Sequence, residues 1–261
     1  NYQLDFLNKL GYRTEGNNTS IVNTSIIGAD SLLGVKYVLS PKDIKGLQKI
    51  QELPQANGKY VYKNPYALEM AIVSNQIDTL KEIPFSNPFD YQNRIYSLLL
   101  GKDIKLYKQV EFEKIETNGE KSIKYEITIP EGNYSLYGNL PWSEIANEKI
   151  NVNGDYYTGY ACSVSPSVFY IPYEGKTAFI EVQSTSKTSI NNEQFYVLDL
   201  NLLKEATEEI TNKKIEQFNI EDNKIVCEVK AKENEKLLMF IPYYNGMKVL
   251  RNGNEVRVYK F

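Results

Sequence analysis

The last stretch of the chain, residues 237–261, reads LLMFIPYYNGMKVLRNGNEVRVYKF and contains the clearest structural pattern in the sequence. Residues 237–241 are an apolar run, and residues 247–251 and 255–259 flank the pair Asn252-Gly253. Asn-Gly between two such runs favours a β-hairpin, because a type I′ turn needs a positive φ at both central residues. The stretch therefore predicts the last strands of a β-structure, and it indicates nothing about chemistry.

Short strand patterns recur upstream of this stretch, from about residue 105 onward. In residues 123–129, isoleucine and tyrosine at every second position alternate with polar side chains, which is typical of an antiparallel strand with one solvent face. Further strands are predicted at residues 110–115, 134–137, 149–152, 157–163, 168–171, 178–182, 195–200 and 224–231. Gly, Pro or Asn bounds each strand, and such a succession indicates a sandwich that the last hairpin completes.

Helical patterns alternate with strands in the first hundred residues. Residues 2–10 place apolar side chains at helical spacing before Gly11, and Pro41 can open a helix over residues 42–53. Asn87-Pro88 combines a good N-cap with proline at the first helical position, and this helix would close at Gly101. Strands are predicted at residues 35–39, 59–63 and 69–73, and one more helix at residues 201–214.

These elements predict an α+β fold in two parts. A small N-terminal α/β unit, residues 1–104, would pack on a larger antiparallel, jelly-roll-like β-sandwich, residues 105–261, with one inserted helix. A length of 261 residues permits one large or two modest domains, and an apolar content of 42 % is enough for a core.

Composition excludes several kinds of chemistry. The chain has no histidine, which removes Ser-His-Asp and Cys-His catalysis and every histidine-ligated metal centre. Its two cysteines, Cys162 and Cys227, are too few for a cysteine-rich zinc site, and two buried thiols are favoured over a disulfide. We therefore expect no metal and no cofactor. The net charge of −3 is scattered along the chain, so we expect no nucleic-acid partner.

Membrane and export signals are missing from the sequence as given. No run approaches the roughly 20 apolar residues of a membrane span, and no charged and apolar leader pattern is present. The chain begins at Asn1 without methionine and stops just after the hairpin. We therefore expect an excised soluble piece of a longer protein.

Aromatic side chains between residues 134 and 173 are the best binding candidates. Tyrosine and tryptophan rings stack on the apolar faces of sugars, while Asn139, Asn153 and a nearby aspartate can hydrogen-bond hydroxyl groups. The alternative is that alternate members form the sandwich core and the others ordinary strand surface. The least core-like candidates for a glycan-binding edge are Trp142, Asp155, Tyr156, Tyr157 and Tyr160.

Five further stretches are informative as a set, because they follow one another in a particular order along the chain. They are SLLGVKYVLS (residues 31–40), NPYAL (residues 64–68), Asn87-Pro88-Phe89, FYVLDLNLL (residues 195–203) and IPYYNGMKVLRNGNEV (residues 241–256). Together they resemble the YfhO family of bacterial polytopic membrane proteins. Two departures are Met247, where the family pattern has tryptophan, and Glu69-Met70, which replaces a Leu-Pro continuation.

The resemblance implies a large extracytoplasmic domain that precedes the last membrane span, on the outer face of the cell membrane. Family members look like GT-C-type glycosyltransferases, which use lipid-linked sugars to decorate cell-envelope polymers such as lipoteichoic acid. The acidic catalytic residues of that class would lie in membrane-proximal loops outside this chain, so no catalytic residue is carried over. The implied partners are an envelope glycan or polymer and, through flanking helices, the membrane.

Three functional hypotheses follow. The first is a non-catalytic extracytoplasmic domain that holds the acceptor polymer or covers the active site. The second is a stand-alone glycoside hydrolase, which needs no histidine but does need two carboxylates about 5–10 Å apart in a cleft. The third is a structural or protein-interaction domain, for which a flat surface without a pocket would be typical.

Overall fold

The structure is a computed structural model that describes residues 2–15, 19–21, 25–116, 122–140, 148–160, 168–183, 192–211, 215–221, 223–241, 244 and 246–259. Its helices are α1 (Tyr2–Lys9), α2 (Ile27–Leu32), α3 (Pro88–Leu100) and α4 (Leu200–Thr211), with a 3-10 helix at Ile77–Glu82. Its strands are β1 (Arg13–Glu15), β2 (Thr19–Ile21), β3 (Tyr37–Ser40), β4 (Gln48–Lys49), β5 (Tyr60–Lys63), β6 (Ala71–Ser74), β7 (Tyr107–Gln109), β8 (Phe112–Glu116), β9 (Ser122–Thr128), β10 (Tyr134–Asn139), β11 (Glu148–Val152), β12 (Asp155–Tyr160), β13 (Val168–Ile171), β14 (Thr177–Gln183), β15 (Gln194–Asp199), β16 (Ile215–Glu221), β17 (Lys224–Val229), β18 (Lys236–Met239), β19 (Leu250–Arg251) and β20 (Asn254–Glu255).

Two antiparallel sheets face each other and form the sandwich. One has the strand order β12-β11-β14-β9-β8, and the other has the order β13-β10-β15-β7. The core between them consists of buried aliphatic and aromatic side chains, among them Ile127, Ile150, Phe169, Ile180 and Phe195. Every second residue of a strand points into this core, because strand side chains alternate between the two faces. The predicted α+β fold with an antiparallel sandwich is confirmed.

The four-stranded sheet is buried on both of its faces. Along β15, Phe195 and Val197 belong to the sandwich core, whereas Tyr196 and Leu198 belong to a second core that the N-terminal residues cover. Strands β10 and β13 divide their side chains in the same way. The sheet is therefore the middle of three layers, and the N-terminal helices and short strands are the third.

Helix α3 packs on the second face of this sheet. The ring of Phe89 stacks on the ring of Tyr196, with 4.3 Å between the centroids. The Asn93 side chain donates to the backbone carbonyl of Tyr107 at 2.9 Å and accepts from its N–H at 2.8 Å. The second core thus takes side chains from both sides of residue 105, and the division of the chain at that residue stays a prediction.

The ends of α3 confirm the predicted local signals. The Asn87 side chain accepts hydrogen bonds from the N–H groups of Phe89 and Asp90, each at 2.9 Å. Gly101 follows the last turn with a φ of 71°, a left-handed conformation that glycine adopts without a steric penalty. The predicted helix at residues 201–214 is α4, and Asp199 caps it by accepting from the N–H of Leu202 at 3.1 Å.

The helix predicted over residues 42–53 is wrong. This part of the chain forms a turn and then β4, which pairs with β5. Gly46 has a φ of 104°, and a Cβ atom at this position would lie 2.9 Å from the side chains of Ile27 and Leu200. Close tertiary packing therefore fixes a left-handed backbone here, which overrides the local helical pattern.

The C-terminal strands do not complete the sandwich, so this part of the prediction is wrong. Strands β16 and β17 form a separate two-stranded sheet, and β18 pairs with β6 in the N-terminal part. The Asn252-Gly253 turn is confirmed, with φ angles of 50° and 82° between β19 and β20. The apolar run that begins at Leu237 thus pairs with a buried N-terminal strand rather than with its neighbours in sequence.

The two cysteines are far apart in sequence. Cys227 is a free, half-buried thiol in β17, and burial raises its pKa. Its side chain lies on the more buried face of an alternating strand, as predicted. Cys162 lies outside the described residues.

Candidate functional site

The sequence-predicted glycan residues fall on the hairpin formed by β11 and β12. Its turn, Asn153-Gly154, has φ angles of 52° and 90°. Asp155 and Tyr156 are exposed, and Tyr156 pairs with Asn151 on the solvent face of the five-stranded sheet. Tyr157 is half-buried, with the Lys42 ammonium 4.3 Å from its ring centroid. The structure therefore brings these residues to one hairpin but points them in different directions.

The side chains of two of the predicted glycan-binding residues are not among those that the structure describes. Trp142 lies outside the described residues. The backbone of Tyr160 ends β12, but its side chain is outside the described part of the structure. The assignment of both to a binding edge stays a prediction.

A cleft opens beside this hairpin, between the turn at residue 153 and the loop that precedes β4. Its volume is about 340 Å³. The polar and aromatic residues that line it are Asp43, Lys45, Asn153, Tyr170, Tyr173 and Glu174. Three segments that are distant in sequence therefore meet at one end of the sandwich.

The cleft is held in place by hydrogen bonds across these segments. The Lys45 N–H donates to the Tyr170 hydroxyl at 3.0 Å, and the Ser135 hydroxyl donates to the Lys45 carbonyl. The Tyr173 hydroxyl donates to the Tyr134 carbonyl at 2.8 Å. Since the loop is fixed at its backbone, the lining groups are largely preorganised for a ligand.

The lining side chains present charges of both signs. The Lys45 ammonium lies 2.9 Å from the Tyr173 hydroxyl and 4.6 Å from that ring's centroid. The Asp43 carboxylate accepts from the Tyr62 hydroxyl at 2.6 Å, with the Lys49 ammonium 3.9 Å away. Asn153 accepts from the N–H of Phe179 at 3.2 Å, which leaves its amide NH₂ group to donate. The cleft therefore offers donors and acceptors together.

Sequence reasoning missed three of these residues. Asp43 and Lys45 lie in the segment predicted as a helix, and Glu174 lies in a turn that no motif marked. Gly46 just after Pro41 was the available signal against a helix, because glycine is unfavourable in a helix interior. Tyr173 belongs to the aromatic run, although it was not among the chosen candidates.

A second cavity of about 340 Å³ lies between β6 and β16. Its lining combines apolar side chains, among them Leu68, Ile72, Ile210 and Phe218, with the polar residues Glu69, Thr211, Glu216 and Gln217. Glu69 pairs with Lys36 at 3.6 Å, Glu216 pairs with Lys230, and the Thr211 hydroxyl donates to the Thr207 carbonyl at 2.7 Å. Most of its polar side chains therefore already have partners within the chain.

A buried carboxyl group lies in α2, enclosed in the second core. Asp30 is 6 % exposed and accepts hydrogen bonds from the Tyr12 hydroxyl, at 2.5 Å, and from the Ser25 hydroxyl. Burial raises the pKa of Asp30 to about 6, although both hydrogen bonds act in the opposite direction. Burial also raises the pKa of Tyr12, and the nearby Asp30 charge adds to this effect.

The surroundings of Asp30 are closed to solutes. Gly28 in the same helix has no room for a side chain, because a Cβ atom would lie 2.6 Å from the Tyr107 hydroxyl. The Tyr96 hydroxyl donates to the Gly28 carbonyl at 2.9 Å. The group is therefore part of the core, and its effect is on stability rather than on a ligand.

The described part of the chain has neither a cluster of metal-ligand side chains nor a helix that could span a membrane. Within it, no three acidic or cysteine side chains converge where a metal ion could bind. Within the same residues, every helix is too short or too polar to cross a bilayer.

Similarity to solved structures is slight. One match is the cupin domain of Cnp3 from Schizosaccharomyces pombe, with 11 % sequence identity and a TM-score of 0.15. It covers 34 % of this chain and 64 % of that chain, so this chain spans less than two thirds of it. A likeness at this level carries no argument about fold or function.

Similarity to a protein family is much stronger. Among curated proteins, none matches this chain. The family described as "Bacterial membrane protein YfhO", by contrast, matches residues 1–261, which is the whole chain. The ordered stretches from SLLGVKYVLS to IPYYNGMKVLRNGNEV lie within this match. The chain therefore belongs to the YfhO family of bacterial membrane proteins.

Proposed function

We propose that this chain is a non-catalytic, extracytoplasmic part of a polytopic membrane protein that resembles glycosyltransferases of the cell envelope. In this role it binds a glycan or polymer of the lipoteichoic acid type, as acceptor, at the cleft beside the β11–β12 hairpin. Membership of a bacterial membrane protein family supports the membrane setting. The implied connection to the bilayer runs through flanking helices.

The observation that carries this proposal is the composition of the cleft. A polyol or sugar presents many hydroxyl groups, each of which both donates and accepts hydrogen bonds. The cleft supplies acceptors in Asp43 and Glu174 and donors in Lys45 and Asn153, and the Tyr173 ring is part of the same lining. Its volume lies at the lower end of the range for ligand sites, which suits one or two sugar units of a longer polymer.

The sequence-predicted residues extend this site along the hairpin. Asp155 and Tyr156 follow directly after Asn153-Gly154 and are exposed. A polymer that occupies the cleft can continue over this turn and reach the Tyr156 ring, which is 63 % exposed. Tyr156 thereby adds apolar contact area outside the cleft.

A binding experiment with point variants tests the proposal. The whole 261-residue chain is passed over immobilised lipoteichoic acid, and its affinity is compared with that of Asp43→Asn/Glu174→Gln and of Tyr156→Ala. We expect about a tenfold loss for the double variant, since each lost polar contact costs on the order of 1 kcal/mol. Tyr156→Ala should lose less. No binding by the unmodified chain, or equal binding by all variants, would overturn the proposal.

Two matched variants separate specific from general effects. Glu208→Gln removes an exposed carboxylate on α4, and Tyr244→Ala removes a tyrosine that is 68 % exposed in the C-terminal part. Neither residue lines the cleft, so both should bind the polymer as the unmodified chain does. A loss as large as that of the cleft variants would indicate a non-specific charge effect.

A second candidate function is glycoside hydrolysis, and one observation favours it. Asp43 and Glu174 are two carboxylates that line the same cleft, and a carboxylate-pair mechanism uses two such groups on either side of the scissile bond. Incubation of the chain with the polymer, followed by measurement of new reducing ends, tests this function. Cleavage that Glu174→Gln abolishes would put the hydrolase ahead of the binding domain.

A further inference from the structure

Exposed apolar side chains concentrate in the last 42 residues of the chain. Leu250 is 61 % exposed on the β19–β20 hairpin, which pairs with no other sheet among the described residues, and Tyr259, four residues after this hairpin, is 49 % exposed. Large apolar side chains in water mark interaction surfaces when several lie together. The exposed ones in this part are Ile220, Val226, Leu237, Tyr244, Leu250, Val256, Val258 and Tyr259.

The register of the β19–β20 hairpin places charged side chains on the face that carries Leu250. Leu250 lies opposite Glu255, and the Val256 N–H donates to the Val249 carbonyl at 3.0 Å, which continues the ladder. Positions 248 and 257 therefore lie opposite each other on the face that carries Leu250. The Lys248 ammonium, 3.5 Å from the Glu255 carboxylate, agrees with this register.

Cations surround the exposed tyrosine of this face. The Arg257 guanidinium lies 4.9 Å from the Tyr259 ring centroid, and the Lys236 ammonium lies 5.6 Å from it. Lys236 also forms an ion pair with Asp78, so among the described residues Arg257 is the cation beside this ring that has no carboxylate partner. We call the set Lys236, Lys248, Leu250, Arg257 and Tyr259 the basic-aromatic face. It combines long cationic side chains with an aromatic ring and a leucine, a mixture that is typical of surfaces at a membrane interface.

The C-terminal part and the rest of the chain have net charges of opposite sign. Residues 223–261 contain eight Lys and Arg against four Asp and Glu, a net charge of +4. The preceding 222 residues contain 22 Lys and Arg against 29 Asp and Glu, a net charge of −7. An anionic surface would therefore attract the C-terminal part and repel the remainder, which orients the molecule.

We propose that the basic-aromatic face lies on the anionic phospholipid headgroups of the bilayer. The lysine and arginine side chains contact headgroup phosphates, while Leu250 and Tyr259 enter the interfacial layer. Membership of a membrane protein family places this chain next to a bilayer, and the basic charge is complementary to anionic lipid. This contact is independent of the glycan cleft, because none of its five residues lines that cleft.

Sedimentation with lipid vesicles tests the contact. The whole chain is mixed with vesicles of phosphatidylcholine alone, or of phosphatidylcholine and phosphatidylglycerol in equal parts, at low and high salt. We expect binding to the anionic vesicles that salt weakens, since exposed charges are screened. Lys248→Gln/Arg257→Gln should weaken it about tenfold, because each cation near an anionic surface contributes favourably. Leu250→Ser/Tyr259→Ser should weaken binding at both salt concentrations.

A control and a competing outcome keep this test decisive. Phe179→Ser changes a residue that is 52 % exposed on the sandwich, and this variant should bind vesicles normally. All variants must show the circular dichroism spectrum and urea midpoint of the unmodified chain. Binding without lipid-charge dependence, or an equal loss in Phe179→Ser, would overturn the proposal. A dimer in light scattering that Leu250→Ser/Tyr259→Ser abolishes would overturn it too, because the face would then bind a second copy.

Discussion

Strands β15 and β17 have similar compositions and opposite surroundings. The first reads QFYVLD and its four central residues, 195–198, are all buried; the second reads KIVCEV and alternates between exposed and half-buried positions. Strand β15 has neighbours on both edges and a packed layer on both faces, whereas β17 has one partner strand. Burial therefore depends on how many layers cover a strand more than on its own residues.

This difference in coverage between β15 and β17 predicts which substitutions lower the free energy of unfolding most. The four-stranded sheet is the middle of three layers, so deletion of a side chain there leaves a cavity that rigid neighbours cannot fill. The β16–β17 sheet and the β19–β20 hairpin can open without disturbing those layers, because isolated two-stranded sheets are only marginally stable. The four predictions below test this contrast, from the largest expected effect to the smallest.

Substitution of a central core residue should have the largest effect. Phe195 contacts the rings of Phe112 and Tyr125 at 5.0 and 5.3 Å between centroids. Phe195→Ala should lower the free energy of unfolding by about 3–5 kcal/mol. Leu250→Ala, at an exposed position, should change it by less than about 0.5 kcal/mol. Urea unfolding measures both, and comparable losses would refute the contrast.

The buried carboxyl group should make stability depend on pH. The folded pKa of Asp30, about 6, is raised above its ordinary value of 3.8, so the folded state holds the proton more tightly. The stability that this proton confers is complete below about pH 4 and is lost as the pH rises through 6, by about 3 kcal/mol. The unfolding free energy of the unmodified chain, minus that of Asp30→Asn, should therefore fall by up to about 3 kcal/mol from pH 4 to pH 7.5.

An exposed ion pair gives the matched control for this pH dependence. Glu216 pairs with Lys230 on the C-terminal β16–β17 sheet, where both side chains are well exposed to solvent. Glu216→Gln should leave the pH dependence of stability unchanged, because water screens exposed pairs. A constant difference between Asp30→Asn and the unmodified chain at all pH values would show that Asp30 titrates normally.

The cap of α3 should have an intermediate effect. Asn87 accepts hydrogen bonds from two N–H groups at the start of the helix that covers the middle sheet. Asn87→Ala removes both, and we expect a loss of about 1 kcal/mol in the free energy of unfolding. Asn87→Ser retains an acceptor oxygen without a second negative charge beside Asp90, and it should lose much less. Thermal or urea unfolding compares the two, and equal losses would show that the cap does not stabilise the fold.

The C-terminal turn should show the smallest global effect. Gly253 has a φ of 82°, and alanine in this conformation costs about 1 kcal/mol. Since the hairpin opens separately, Gly253→Ala should hardly change the urea midpoint but should speed hydrogen exchange of the Val256 amide, which donates to Val249. A clear shift of the midpoint would mean that this hairpin unfolds together with the core.

Much of the fold was predictable because its signals are local. The Asn87-Pro88 start, the Gly101 stop and the Asn252-Gly253 turn each depend on the φ and hydrogen-bonding preferences of one or two residues. The alternation of apolar and polar residues in β9 predicted a strand with one solvent-exposed face. The unbroken apolar runs in β13 and β15 are also typical of strands buried on both faces, a signal that was available and not used.

Less of the candidate site was predictable. The hairpin at residues 155–157 was chosen for its aromatic content, and the turn before it does border the cleft. Asp43 and Lys45 reach the same cleft only because Gly46 packs against Ile27 and Leu200 and turns the loop away from a helix. No pattern within residues 42–53 contains that contact, since its partners come from two other helices.

By itself, the sequence determined most of the sandwich strands, the Asn252-Gly253 turn, the ends of α3 and the α+β class, because backbone preference and side-chain alternation act within a few residues. Family membership likewise rests on the sequence, through ordered stretches that span the chain. Only the tertiary structure decided that β18 pairs with β6 and that the four-stranded sheet has no solvent face. Both features depend on which apolar surfaces meet when distant segments of the chain pack together. No single segment contains the information that selects its partner.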